Sequence, residues 1–316
     1  MGAPQESQPT KISSTAGASL RMPRRYQWKL KERELALGER TLLMGVLNVT
    51  PDSFSDGGLY SDPDRAFARA MELEDQGADI LDVGAESTRP GSKRIPESEE
   101  LRRLIPVLKR LRGKLAIPIS VDTYKSGVAE KALEHGAEII NDPTGLLLDL
   151  QIAKVVVKHD AGLIVNHMRG TPETWAKLPP LKDLMRSIAI DIEAALHRAR
   201  QAGVQKHQVV IDPGLGFGKR REQNSEIIAN LGMLRSFDVP IVIGPSRKSF
   251  LKKEQEVLTE FATAAAVGAC ILNGAQIVRV HDVKAMKSAV EVADLIRQSA
   301  PDEETRVQSQ ARRRSQ

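Results

Sequence analysis

Acidic, amide and cationic side chains follow short apolar runs at eight places in this 316-residue sequence. Asn48 follows the first run, Glu86, Ser87, Thr88 and Arg89 the second, Asp122 the third, and Asn141 and Asp142 the fourth. Asn166 and His167, then Asp212, then Ser246, Arg247, Lys248 and Ser249, and finally Arg279 and His281 complete the series. Taken singly each has an ordinary explanation, because Asp or Asn after a strand often forms a turn or caps the next helix. Turn formation alone does not predict polar residues of converging types at all eight exits. Asp122, Asn141, Asp212 and Lys248 offer acceptors, an amide and a cationic donor, which suits a flat heterocycle with several N–H groups and a ring carbonyl. Arg89, Arg279 and His281 read as cationic donors of the kind that hold phosphate oxygens. A ligand with a heterocyclic head and a phosphate tail satisfies both sets.

The apolar runs that must position these residues are strand candidates over 42–49, 79–85, 117–121, 138–141, 162–167, 208–211, 240–243 and 277–280. Between them the pattern predicts helices over 63–76, 97–112, 125–135, 181–202, 221–237 and 259–273. Eight consecutive strand-helix units point to an α/β fold, a closed (β/α)8 TIM barrel, whose active site forms at the C-terminal ends of its strands. An open doubly wound sheet would announce a glycine-rich turn after its first strand. That position reads Asn48-Val49-Thr50-Pro51-Asp52-Ser53 instead. Ahead of the first strand, Tyr26 to Leu30 alternates apolar and polar, and Leu35 and Leu37 follow a charged break. This reads as a hairpin closing the bottom of the barrel.

Composition sets the outer limits. Apolar residues make up 41% but aromatics only 3%, so the core must be aliphatic, as buried parallel strands require. The single cysteine, Cys270, excludes an intrachain disulfide and reads as a buried helical thiol. No apolar run is long enough to span a bilayer and the start lacks a secretory signal, so the expectation is a cytoplasmic protein without a membrane partner. Of the net charge of +5, all but one unit falls in two polar tails, residues 1–25 and 301–316. Both read as disordered, flanking one barrel domain over 26–300. A near-neutral body argues against a nucleic-acid partner.

Two tempting motifs lack what their chemistry needs. Gly214-Leu215-Gly216-Phe217-Gly218-Lys219 is one residue short of a phosphate loop and is followed by Arg220 rather than Ser or Thr. The six histidines show no zinc spacing, which leaves room only for a hard cation held mainly by substrate phosphates.

The segments Gly45-Val46-Leu47-Asn48-Val49-Thr50-Pro51-Asp52-Ser53-Phe54-Ser55-Asp56-Gly57-Gly58 and Glu86-Ser87-Thr88-Arg89-Pro90-Gly91 closely resemble the first two loops of the dihydropteroate synthase family. Val121-Asp122-Thr123, Ile140-Asn141-Asp142, Asp212-Pro213-Gly214, Ser246-Arg247-Lys248-Ser249 and Arg279-Val280-His281-Asp282 follow in the family's order. The resemblance implies a transferase that joins 6-hydroxymethyl-7,8-dihydropterin diphosphate to 4-aminobenzoate, releasing diphosphate and forming 7,8-dihydropteroate in folate synthesis. It implies that Asp122, Asn141, Asp212 and Lys248 hold the pterin, with Asp122, Asp212, Lys248 and Arg89 taking part in catalysis. Asn48, Arg279 and His281 are expected at the diphosphate, with Asn48 also reaching magnesium (Mg2+). Thr88, Pro90, Phe217 and Ser249 are expected around the aminobenzoate, and a homodimer is implied.

The loops over 50–61 and 87–96 are long enough to cover the site and are expected to order on substrate binding. Ala85, Pro245 and Asn166 depart from the family's usual wording, and Asn166 falls at a position that borders the pterin pocket. Another pterin-binding barrel, such as a methyltetrahydrofolate-dependent methyltransferase, would share the ring-binding carboxylates but has no need of Ser87-Thr88-Arg89-Pro90. A noncatalytic protein using its basic tails to bind RNA is the rival from a different class.

Overall fold

The structure, a computed structural model, describes residues 24–50 and 63–299. The stretch 51–62, which holds most of the first loop, and nearly all of both expected tails lie outside the described residues. Arg24 and Arg25, the inner end of the first tail, are within them and pair with Asp238 and Glu39 at 3.1 and 3.2 Å.

Strands β1 (Tyr26–Lys29) and β2 (Glu34–Leu37) form the expected antiparallel hairpin, with Tyr26 opposite Leu37. The parallel strands β3 (Leu42–Asn48), β4 (Ile80–Gly84), β5 (Ile119–Asp122) and β6 (Ile139–Asp142) follow. They continue as β7 (Gly162–Asn166), β8 (Val209–Asp212), β9 (Val242–Ile243) and β10 (Ile277–Val280). Hydrogen bonding runs in the order β8-β7-β6-β5-β4-β3-β10-β9, and a parallel bridge from Ile211 to Ile241 brings the two ends together. The result is the barrel that the repeated unit predicts.

Helices α1 (Pro63–Asp75), α2 (Glu97–Leu111), α3 (Ser126–Glu134) and α4 (Gln151–His159) alternate with the first half of the barrel. Helices α5 (Leu184–Gln201), α6 (Arg221–Ala229), α7 (Glu256–Leu272) and α8 (Val283–Gln298) follow β7 to β10. The single helix expected over 221–237 instead breaks at Asn230 and continues as a 3-10 turn, Leu231–Phe237. Gly232 falls at the break, where its backbone freedom weakens the helix, while Leu231 and Leu234 stay buried.

Alternation along the strands divides the barrel interior into levels. Leu42, Met44, Ile80, Ile139, Ile164, Val210, Val242 and Ile277 point inward at the bottom and pack with Trp28, Leu30 and Leu37 of the hairpin. Trp28 is 1% exposed and donates its indole N–H to the Gln208 carbonyl at 2.8 Å. Gly162 begins β7 directly against this floor, where a Cβ would lie 3.1 Å from the Trp28 ring. At the other end of the chain, buried Asp294 accepts from the Thr41 amide at 2.7 Å and its hydroxyl at 2.8 Å. Fully buried Arg297 completes the pair with Asp294 at 2.6 Å, so α8 is pinned to the start of β3.

Because the floor and the C-terminal ends are separate levels, damage to one should spare the other. Trp28→Ala should lower the unfolding free energy by about 3–5 kcal/mol in a denaturant titration, the usual cost of emptying a large aromatic site. Turnover per folded molecule should remain that of the parent, and a loss of turnover exceeding the loss of folded protein would contradict this separation.

Candidate active site

Above the apolar floor the inward positions turn polar. Asn48, Asp122, Asn166 and Asp212 are the last residues of their strands rather than the first of their loops. Their backbones are therefore fixed by the sheet, which places side chains more accurately than a loop would.

Arg279 on β10 occupies the middle of this level. Its Nε donates to Asp82 Oδ2 at 2.7 Å and its Nη2 donates to Asp122 Oδ2 at 3.2 Å. The same Asp82 oxygen accepts from Asn141 Nδ2 at 3.3 Å. Burial works against the charge on Arg279, but Asp82 and Asp122 hold its pKa above the ordinary value. Burial pushes the Asp122 carboxyl up to about 7, against the pull of Arg279 and aided by the charge of Asp82. Asp82 is completely buried and was not singled out in the sequence, although a carboxylate inside the apolar run Ile80–Gly84 is itself a signal.

Asp212 faces the same space from β8. Its Oδ1 accepts the Gly214 amide at 2.7 Å, and burial raises its pKa against that bond and the nearby Lys248. Asp142 points elsewhere and caps its own turn, accepting from the Thr144 amide and hydroxyl at 2.8 Å and from the Leu146 amide at 2.6 Å. Here the ordinary turn-forming explanation holds. The loop after β8 is no phosphate cradle, because Lys219 turns inward and donates to the carbonyls of His167, Pro213 and Gly214 at 2.8, 2.9 and 2.6 Å. Gly214 has a φ of +70°, and a Cβ there would run into the His167 carbonyl and Asn166 Oδ1. Asn166 thus lies against this turn, with its buried Oδ1 lacking a hydrogen-bond partner among the described residues.

Lys248 enters from the segment after β9. Burial lowers its pKa to about 8, aided by Arg279 and opposed by Asp212 and Asp122. Its ammonium lies 4.3 Å from the centre of the Phe217 ring, which packs against Trp175 with centroids 5.2 Å apart. Trp175 is a lining residue that sequence reading missed, and its signal was modest, a Trp within a polar stretch. Phe217 therefore joins the ring-facing cation to an aromatic wall, at the position expected to meet the aminobenzoate.

Ser246 and His281 meet where β9 and β10 end. Ser246 Oγ lies 2.9 Å from His281 Nδ1 and also accepts the His281 backbone N–H at 3.2 Å. The surroundings of His281, expected at the diphosphate, disfavour its charged form. Burial, reinforced by Arg279, Arg247, Lys248 and Arg89, lowers its pKa to about 3, so it is a neutral imidazole at physiological pH. Arg279, assigned to the anion-binding set, is also bonded to Asp122 of the ring-binding set and to Asp82. The two sets are one connected network.

The remaining expected residues lie farther out. Thr88 is half-buried, whereas Arg89, Pro90 and Ser249 are exposed at the rim. The loop that carries the first three is tied down by Ser92 Oγ, which donates to the Ser87 and Arg89 carbonyls, and by the Gly91 amide bonded to the Pro172 carbonyl at 2.9 Å. At its base Glu86 accepts from Tyr124 at 2.7 Å and Lys125 at 2.5 Å. Half-buried Asn48 ends β3 beside Gly84, and its amide engages no hydrogen-bond partner among the described residues. No group of three or more His, Cys, Asp or Glu able to hold a metal occurs among the described residues. A lone amide oxygen at a strand end fits a hard cation that takes most of its ligands from substrate and water.

The neutral state of His281 has a thermodynamic consequence. In the unfolded chain the imidazole titrates near 6.5, and in the fold near 3, so the unfolded state takes up the proton first as pH falls. The stabilisation is complete above pH 6.5 and is lost progressively as pH drops toward and through 3. His281→Gln should therefore flatten part of the acid decline in unfolding free energy between those values. Equal slopes in parent and variant would refute the assignment.

A model of the pterin-binding enzyme family matches residues 44–281. Dihydropteroate synthase of Clostridium beijerinckii is 41% identical over 272 residues, spanning 85% of this chain and 98% of its own length. The Bacillus subtilis enzyme of that name is also 41% identical, over 84% of this chain and 91% of its own. Among solved structures, Clostridium difficile dihydropteroate synthase with pteroic acid superposes with a TM-score of 0.77 at 44% identity, covering 82% of this chain and 98% of that one. The Xanthomonas albilineans enzyme in complex with 7,8-dihydropteroate gives a TM-score of 0.76 at 34% identity, covering 87% and 100%. With the barrel, the buried carboxylates and these likenesses in agreement, the chain belongs to the dihydropteroate synthase family of pterin-binding enzymes.

Proposed function

We propose that this site transfers the dihydropterin-methyl group of 6-hydroxymethyl-7,8-dihydropterin diphosphate to 4-aminobenzoate, forming 7,8-dihydropteroate and diphosphate. The observation that carries the reading is the charge network of buried Asp82 and Asp212 with partly buried Asp122, Arg279 and Lys248 at the strand ends, in a chain whose relatives are dihydropteroate synthases. Asp122, Asn141, Asp212 and Lys248 surround the heterocycle, the carboxylates accepting its N–H groups and Lys248 donating to a ring acceptor.

The bond between the exocyclic methylene carbon and the diphosphate oxygen breaks, and its electron pair leaves with the diphosphate. Positive charge then spreads from the methylene into the electron-rich ring, where Asp122 and Asp212, already fixed and screened from water, stabilise it. Arg279 and exposed Arg89 receive the growing negative charge on the diphosphate, and neutral His281 contributes an N–H donor. Magnesium would be held beside the diphosphate by Asn48, adding to the charge neutralisation that these residues provide. The amine of 4-aminobenzoate, placed by Thr88, Pro90, Phe217 and Ser249, attacks the methylene carbon and afterwards loses a proton. Water would capture the same carbon, so Phe217 and Trp175 also serve by walling off the methylene with apolar surface.

The wall of helices carries a further reading. Val257, Leu258 and Phe261 on α7 and Val292, Leu295 and Ile296 on α8 are exposed, and the two helices pack together. We propose that this apolar face joins two copies of the chain into a homodimer. Among the described residues no helix is long and apolar enough to cross a membrane.

Incubation of the folded protein with magnesium, the dihydropterin diphosphate and 4-aminobenzoate should release diphosphate and dihydropteroate in equal amounts, and absence of product would overturn the reading. Asp212→Asn should reduce kcat/KM for the pterin substrate by about 100- to 1000-fold, the scale for losing one preorganised charge. Sedimentation should show the parent as a dimer and Phe261→Glu as a monomer, whereas a monomeric parent would remove the dimer proposal.

A further inference from the structure

Asp82 makes no direct part of either ligand-facing set, yet both sets run through it. It is completely buried at the third position of β4. One carboxylate oxygen, Oδ2, accepts from Arg279 Nε at 2.7 Å and from Asn141 Nδ2 at 3.3 Å. The other, Oδ1, is buried without a hydrogen-bond partner among the described residues. Leaving a buried acceptor unsatisfied is expensive, and each such group in a fold calls for an explanation.

The geometry at Oδ2 has two effects. A guanidinium gripped through Nε keeps both terminal nitrogens for other partners, and among the described residues only Nη2 is engaged, by Asp122. The plane of Arg279 is therefore set from below while its outer edge stays available. Accepting from Asn141 Nδ2 likewise fixes which way that amide faces, so that its oxygen, not its nitrogen, is the free group. A single carboxylate thus orients the cation of the leaving-group end and the acceptor of the ring end.

We infer that Asp82 is a positioning residue for the transfer, acting through Arg279 and Asn141 without touching substrate. The inference rests on the proposed reaction, but its two binding measurements do not require turnover. Inorganic diphosphate and 6-hydroxymethylpterin serve as probes in equilibrium binding, with 4-aminobenzoate KM measured in parallel. Asp82→Asn keeps the shape of the side chain, and Arg279 retains Asp122 as its counter-charge. Affinity for both probes should fall by about tenfold or more, the scale on which partners behind a ligand act. The KM for 4-aminobenzoate should stay within about twofold, since its expected contacts lie elsewhere and no partner behind them is removed. A folded Asp82→Asn protein with parental affinity for both probes would overturn the inference, as would equal losses for all three ligands.

A double-mutant cycle covers the case in which Asp82→Asn does not fold. Asp82→Asn combined with Arg279→Gln replaces the ion pair with a neutral pair of similar shape. If Asp82 acts on diphosphate through Arg279, the double variant should bind inorganic diphosphate within about twofold of Arg279→Gln alone. A further tenfold loss in the double variant would show that Asp82 acts by another route. Product formation by the unmodified protein tests the reaction itself, so failure of that reading and failure of this one are distinguished.

Discussion

Charge inside a barrel must be matched where it stands, and the Arg279 guanidinium between Asp82 and Asp122 is where this molecule meets that requirement. Deleting one member of such a pair leaves the other uncompensated, typically at a cost of about 3–5 kcal/mol. That penalty makes the three residues mutually dependent, and Asn141 joins them through Asp82. Strands β4, β5, β6 and β10 are thereby tied at their C-terminal ends by side chains as well as by the ladder. The upper interior is an ionic lattice before any ligand arrives.

Such a lattice needs dry, firm ground beneath it. The inward Leu42, Met44, Ile80, Ile139, Ile164, Val210, Val242 and Ile277 supply it, and Trp28, Leu30 and Leu37 seal it from solvent. Division of labour follows from strand geometry: one level of inward residues holds the barrel together and the next is released for chemistry. At the rim, Lys219 performs a different structural task. Its three carbonyl acceptors knit the turn after β8 to the end of β7, which keeps Phe217 in place beside Lys248.

Much of this was legible in the residues. Repetition of short apolar runs and helical stretches read directly as a barrel, because strand and helix periods differ and each unit carries both. Polar residues at the strand ends stood out because their neighbours are apolar. What escaped notice depends on side-chain direction and depth. Asp82 lies within a strand, four residues before the exit at Glu86 where chemistry was sought, and only the inward face of β4 reveals its role. The burial that disfavours a charge on His281 is likewise invisible in residue type. The bonds of Arg279 to Asp82 and Asp122 were not legible, because spacing along a chain says nothing of which neighbours a long side chain will choose. The break at Asn230 escaped because apolar residues at helical spacing serve a 3-10 turn equally well.

The two tryptophans of this sequence sit at opposite ends of the barrel axis. Trp28 is sealed in the floor at 1% exposure, and Trp175 stands against Phe217 at the rim. Indole emission responds to local polarity and to nearby aromatic or charged groups, so the chain carries two intrinsic optical reporters. Trp28 reports on the integrity of the barrel as a whole. Replacing it with phenylalanine leaves Trp175 as the sole indole, through which arrival of an aromatic ligand at Phe217 becomes visible without any added label.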